Sequence, residues 1–181
     1  MIEVEMKIKI SENDFLKLEK ELSVKGKRKI EENMDDLYFQ HPCRDFKVTD
    51  EALRIRRCNS DLFITYKGPK LGKEMKTREE IEFKIEDFDK AKRAFEKLGF
   101  IPVAHVKKRR ISYKYGDYTI SLDKVNQLGT FLEIECEVLN ETEIKEKEDK
   151  IKSFLINTLG IKEFKSIRKS YLEMLLEKNN I

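Results

Sequence analysis

The chain has 181 residues, of which 40% are charged and 39% hydrophobic, enough for one medium domain over residues 1–181 with a real core. Its 38 Lys and Arg nearly balance 35 Asp and Glu, and a net charge of +3 excludes bulk nucleic-acid binding. No apolar run reaches membrane-spanning length, so no membrane partner is expected.

The first ten residues alternate. Ile2, Val4, Met6, Ile8 and Ile10 share one parity, and Glu3, Glu5, Lys7 and Lys9 share the other. Successive side chains of a strand point to opposite faces, so a strand here has one oily and one charged face. Ser11 then caps a predicted helix whose Phe15, Leu18 and Leu22 recur at helical spacing before Gly26. The basic run Lys25 to Lys29 reads as a solvated linker. Met34 to Gln40 reads as a short strand, and His41 to Phe46 as a loop around Pro42. Two strands follow, Ala52 to Arg57 and Asp61 to Lys67, joined by the turn pair Asn59-Ser60. On the first, Leu53 and Ile55 oppose Arg54 and Arg56; on the second, Leu62, Ile64 and Tyr66 oppose Phe63, Thr65 and Lys67. Gly68-Pro69 ends that strand.

Lys76 to Ile85 alternates again, with Lys76, Arg78, Glu80, Glu82 and Lys84 against Ile81, Phe83 and Ile85. Glu86 to Leu98 is a predicted helix with a Phe88, Ala91, Phe95, Leu98 stripe, stopped by Gly99. Val103 to Tyr115 is a long strand with a wholly basic centre, Lys107 to Arg110. Gly116-Asp117 signals a hairpin into a strand in which Tyr118, Ile120 and Leu122 oppose Thr119, Ser121 and Asp123. Phe131 to Val138 sets Leu132, Ile134, Cys136 and Val138 against Glu133, Glu135 and Glu137. Asn140 with Glu143 resembles a capping box opening a helix to Leu159, and a last helix follows Ser166. Three widely spaced cysteines and two histidines give no zinc spacing. Free thiols predict a soluble, cytoplasmic protein. Tyr66 and Tyr118 read as packing residues, and His41 and His105 as loop and surface residues.

About eight strands and four helices result, with connections short enough for hairpins. The fold class is α+β, and eight antiparallel strands are enough to close a β-barrel. The amphipathic helices must bury their apolar stripes, and the oily strand faces are the surfaces available. With helices outside, the charged faces line a lumen of Glu3, Glu5, Lys7, Arg54, Arg56, Lys67, Arg78, Glu80, Glu82, Lys108, Arg110, Asp123, Glu133 and Glu135. Dry burial of so many charges costs several kcal/mol per ion before pairing, so the lumen must be wet, mutually paired or filled by a charged ligand. Lys and Arg suit phosphate oxygens, and clustered carboxylates suit a hard divalent cation. A polyphosphate carrying magnesium needs both.

The residues also resemble a known family. Glu3-Val-Glu5-Met-Lys7 is similar to the ExExK signature of the CYTH proteins, which unite class IV adenylyl cyclases and thiamine triphosphatases within the triphosphate tunnel metalloenzymes. Asp36-Leu-Tyr38-Phe39, Ala52-Leu-Arg54-Ile-Arg56, Thr65-Tyr-Lys67-Gly68, Arg78-Glu-Glu80, Leu122-Asp123, Leu128-Gly129-Thr-Phe131 and Glu133-Ile-Glu135 follow in the family's order. The resemblance implies an eight-stranded antiparallel triphosphate tunnel with helices packed outside. It implies Mg2+ or Mn2+ held by Glu3, Glu5, Glu133 and Glu135, with Asp123 and Glu80 or Glu82 assisting. Lys7, Arg54, Arg56, Lys67, Arg78, Lys108 and Arg110 would grip the triphosphate. Asp36 and Tyr38 would sit near the tunnel mouth or the reacting group, completing a catalytic set with Glu5, Lys67 and Arg110. Lys108 and Arg110 are preferred to Lys107 and Arg109 on the family's spacing, a choice that a bulge would reverse.

The stretch from Asp36 to Arg56 looks most like the cyclase branch, which makes cyclic AMP and pyrophosphate from ATP. Hydrolysis of inorganic triphosphate or thiamine triphosphate, and non-catalytic polyphosphate or nucleotide binding, are the alternatives. The partner is then a nucleoside triphosphate or another triphosphate, and apolar surface around the C-terminal helix could make a homodimer.

Overall fold

A computed structural model gives the fold and describes residues 2–26, 29–69 and 79–179. The strands are β1 (Ile2–Ile10), β2 (Lys29–Gln40), β3 (Ala52–Cys58), β4 (Asp61–Lys67), β5 (Glu80–Ile85), β6 (Ile101–Tyr115), β7 (Tyr118–Val125) and β8 (Gly129–Val138). The helices are α1 (Glu12–Lys25), α2 (Phe46–Thr49), α3 (Phe88–Lys97), α4 (Ile144–Asn157) and α5 (Tyr171–Lys178). The eight strands form one antiparallel sheet in the order β1-β8-β7-β6-β2-β3-β4-β5.

Among the described residues the sheet is open, with β1 and β5 at its ends, where the sequence led us to expect a closed barrel. One reason is visible on β1. Its outer edge is taken at Lys7 and Ile8, where Ile8 bridges Ser166 and Ile167 N donates to Lys7 O at 2.7 Å.

The chain divides into two compact units, residues 1–31 with 109–170 and residues 32–108 with 171–181. In the first, the apolar parity of β1 (Val4, Met6, Ile8, Ile10) joins Ile120, Leu122, Leu132, Ile134, Cys136 and Val138 of β7 and β8. Phe15, Leu18 and Leu22 of α1 and Ile151 and Leu155 of α4 cover that face. In the second, Leu37, Phe39, Leu53 and Ile55 pack with Phe46 of α2 and with Phe88, Ala91 and Phe95 of α3. In each unit, therefore, the helices lie on the oily strand face and leave the charged face on the other side, as the parity argument required. Ile134 is 0% exposed. Ile134→Ala is expected to destabilise the chain by about 2–5 kcal/mol, read from chemical denaturation.

Several boundaries differ from the sequence reading. β2 starts at Lys29, five residues before Met34, because Asn33 and Asn59 exchange hydrogen bonds where β2 meets the β3–β4 turn. Lys25 ends α1 and Lys29 opens β2, so the basic run is not wholly linker. α2 is an additional helix, capped by Asp45, whose side chain accepts from Lys47 N at 2.9 Å. Beyond it Glu51 accepts from Thr49 Oγ1 and Tyr66 Oη, both at 2.6 Å, so Tyr66 anchors a loop rather than only packing. Asp87 caps α3 by accepting from Lys90 N, which delays the helix to Phe88. A 3-10 turn, Glu141–Glu143, precedes α4, and α5 begins only at Tyr171. Tyr171 and Leu175 are buried and Leu172, Met174 and Leu176 half-buried, so among the described residues the last helix shows no exposed large apolar side chain. Among the described residues no helix is long and apolar enough to cross a membrane.

Candidate functional site

The charged face of the second unit is built by register. Asp36 pairs with Arg56 and Tyr38 with Arg54 across β2–β3; Arg54 pairs with Thr65 and Arg56 with Phe63 across β3–β4. Thr65 then pairs with Glu82 and Lys67 with Glu80 across β4–β5. Directly opposite residues share a face, so these side chains form rows across four strands.

Asp36 is the hub. It is 2% exposed and accepts from Arg56 Nε and Nη2, each at 2.7 Å, and from Arg54 Nη1 at 3.2 Å. Burial alone would raise its pKa, but the Arg56 hydrogen bonds and the charges of Arg54, Arg56 and Lys108 prevail and hold it below the usual carboxylate range. Asp36 is thus an ionised anchor that aims two guanidiniums. Arg54 also donates to Tyr38 Oη at 3.2 Å and to Thr65 Oγ1 at 3.3 Å, and Thr65 Oγ1 donates to Glu82 at 2.6 Å. Burial pushes the Tyr38 phenol up, so it stays protonated. Lys67 donates to Glu80 at 2.8 Å, while burial and the nearby Arg54 and Arg56 charges lower its pKa. Lys108 lies over the Tyr171 ring at 5.1 Å. Glu80 and Glu82, read from the sequence as metal assistants, are engaged by these cations and by Thr65.

The first unit carries the other carboxylates. Across β1–β8, Lys7 is opposite Glu133 and Glu5 opposite Glu135. Lys7 Nζ lies 3.1 Å from Glu133 and 3.8 Å from Glu5. Arg110 forks onto Asp123 at 2.7 and 2.6 Å and also bonds Glu133. Asp123 is fully buried, and Lys7 and Glu133 are each 6% exposed. Charges so dry must be compensated, and here they are. By contrast, Arg109 pairs with Glu31 and Lys107 with Asp35 in exposed bridges. Arg110 and Lys108 are therefore the basic residues turned toward the charged faces. Ser121 and Thr65, both buried, belong to these faces; the sequence put both on the charged parity, and Thr65 in a motif, but gave neither a site role.

Glu3 enters only through its register with Glu137; its side chain and all of Arg78 lie outside the described residues. Among the described residues no group of three acidic, His or Cys side chains already converges as a metal cage. The donor set nevertheless fits a hard divalent cation. Its carboxylate oxygens are the ligand type such an ion takes, and Glu5 stands directly opposite Glu135, with Lys7 Nζ 3.8 Å from Glu5 as the cation beside that pair.

The fold and these strand faces of paired carboxylates and cations define a class. The chain belongs to the CYTH family, whose domain model, described as "CYTH domain", matches residues 1–171. A Methanocaldococcus jannaschii protein named "Putative adenylate cyclase MJ0240" is 46% identical over 178 residues, covering 96% of this chain and 98% of that one. The structure of the PH1819 protein from Pyrococcus horikoshii is 44% identical, with a TM-score of 0.78, and the match covers 97% of this chain and 99% of that one. The Hippeastrum protein HpAC1 shares the fold at 20% identity and a TM-score of 0.69, over 97% of this chain and 95% of its own; its description reports a dominant triphosphatase activity.

Proposed function

We propose that the chain, as a single CYTH domain over residues 1–181, is a metal-dependent enzyme that converts ATP to 3′,5′-cyclic AMP and pyrophosphate. The observation that carries this reading is the Asp36-anchored row of Arg54 and Arg56, whose fixed, planar guanidiniums suit phosphate oxygens, with the Lys67 ammonium beyond it. The name of the Methanocaldococcus jannaschii relative supports the choice of cyclase.

In the reaction the ribose 3′-oxygen bonds the α-phosphorus, the bond to pyrophosphate breaks, and the hydroxyl proton is released to solvent. Arg54 and Arg56 hold the phosphates in line, and Lys67 balances charge growing on the departing pyrophosphate. Lys7, Arg110 and Lys108 add positive charge, and the protonated Tyr38 donates a hydrogen bond. Glu5, Glu133 and Glu135, with Asp123 and Glu3, would hold magnesium or manganese. When bound, that ion would neutralise phosphate charge.

Lys67 supplies a pH test. Its lowered pKa means that its charge is lost at lower pH than an ordinary lysine's. KM is therefore expected to rise as pH climbs through that range, and Lys67→Arg, which stays charged, should remove the alkaline rise. An identical rise in both proteins would remove Lys67 from the phosphate grip.

The same groups suit hydrolysis of a terminal phosphate, which is the second reading. Product analysis with ATP, tripolyphosphate and thiamine triphosphate, each with magnesium and with manganese, separates them. Cyclic AMP with pyrophosphate is expected. Orthophosphate from tripolyphosphate without cyclic AMP would replace the cyclase by a triphosphatase. Binding without any turnover would leave a non-catalytic module.

A further inference from the structure

On the second unit's charged face one ring is out of keeping with its surroundings. Phe63 sits in the row Asp36–Arg56–Phe63–Lys84, with Arg56 and Lys84 directly opposite it on β3 and β5. It is half-buried, and it belongs to neither apolar core. Met34, on the same face of β2 opposite Cys58, is buried yet also lies outside both cores. Cys58 in turn pairs with Asp61, two residues before Phe63 on β4, and so lies diagonal to the ring. Beyond the arginines, then, Phe63, Cys58 and Met34 put apolar groups on a face that still carries the Asp61–Lys84 ion pair and Glu32. The Cys58 thiol stays neutral there: burial, then its hydrogen bond to Glu32, pushes it up to about 11.

A half-buried phenylalanine placed among charged groups and away from a core gains less as packing than a core ring does, and an aromatic ring suits a flat heterocycle. We infer that Phe63 is the stacking platform for the substrate's nucleobase, an inference that rests on the triphosphate reading above. Along β4, Phe63 and Lys67 are on the same face, about 13 Å apart at roughly 3.3 Å per residue. That span accommodates a triphosphate and its ribose. The order along the strand sets the polarity: terminal phosphate at Lys67, α-phosphate at Arg56, base on Phe63. Stacking tolerates any base, because every base has a π-face, so Phe63 distinguishes a nucleotide from inorganic triphosphate rather than adenine from guanine.

Two variants test this. Phe63→Ala is expected to raise KM for ATP and for GTP about tenfold or more, the loss that one aromatic–base stack carries, with kcat nearly unchanged. Consumption or binding of tripolyphosphate should not change, which also reports that the variant is folded. Phe63→Trp should restore the KM for ATP. Because the chain has 0 Trp, it also gives a single indole signal, which ATP should quench and tripolyphosphate should not. An unaltered KM for ATP in Phe63→Ala, or quenching by both ligands alike, would overturn the stacking role while leaving the triphosphate reading standing. If the wild type recognised neither ATP nor tripolyphosphate, both readings would fall.

Discussion

Glu133→Gln is expected to lower metal-dependent turnover by about a hundredfold or more, the scale for a charged group aimed at a reacting centre, while the chain stays folded. Glu133 is the carboxylate on which Lys7 and Arg110 converge, and it stands next to the Glu5–Glu135 pair in the β1–β8 ladder. The amide keeps its shape and one acceptor oxygen. Arg110 retains its two bonds to Asp123, and Lys7 retains Glu5 and the Lys169 carbonyl. The fold therefore has substitutes for the lost charge, whereas a divalent cation has fewer. Turnover at saturating magnesium or manganese, beside a thermal melt of the same preparation, checks both halves. Unchanged activity would remove Glu133 from the metal site.

Asp36→Asn should act in the opposite way, through stability first. The substitution leaves Arg54 and Arg56 facing a neutral amide in a site where Asp36 is 2% exposed. Breaking a buried ion pair by removing one partner costs about 3–5 kcal/mol. Its pH dependence follows from the lowered pKa of Asp36. A carboxylate held below its unfolded value contributes stability that is complete above the unfolded pKa, about 3.9, and lost as pH falls through the folded one. Denaturation at neutral pH should therefore separate the two proteins widely, and the gap should close progressively below about pH 4. A constant gap across that range would mean that the Asp36 charge is not what holds the arginines. Turnover would fall as well, since the guanidiniums lose their aim, but Asp36 would then be a positioning residue rather than one touching the substrate.

Parity was the most legible property of the chain. Val4, Met6, Ile8 and Ile10 are all buried under helices, with Glu5 and Lys7 on the other face, because a period of two leaves a strand no other way to segregate oil from charge. The preference for Arg110 over Arg109 came from the family's spacing rather than from the period; Arg110 bonds Asp123 and Glu133, whereas Arg109 pairs with Glu19 and Glu31. Closure of the sheet was not legible, since it depends on what meets the edges of β1 and β5 rather than on the strands themselves. α2 was missed because four residues, Phe46–Thr49, are too few to display a helical repeat. Of the first five residues of β2, Lys29 was read as linker and residues 30–33 received no element, because their charges mask any alternation. The site residues could be named, but not their partners. That Asp36 binds Arg54 and Arg56, or that Glu82 meets Thr65 and Arg54, is set by strands distant in sequence coming into register.

Thermal melting of the unmodified chain with tripolyphosphate, with and without magnesium, tests most directly whether the charged strand faces are a ligand surface. A ligand that binds only the folded state raises the melting temperature in proportion to the logarithm of its concentration once saturating. A rise that grows with tripolyphosphate, and grows further with magnesium, is the predicted outcome. A melting temperature indifferent to tripolyphosphate at every magnesium concentration would mean that Asp36, Arg54, Arg56, Glu5 and Glu133 serve only one another.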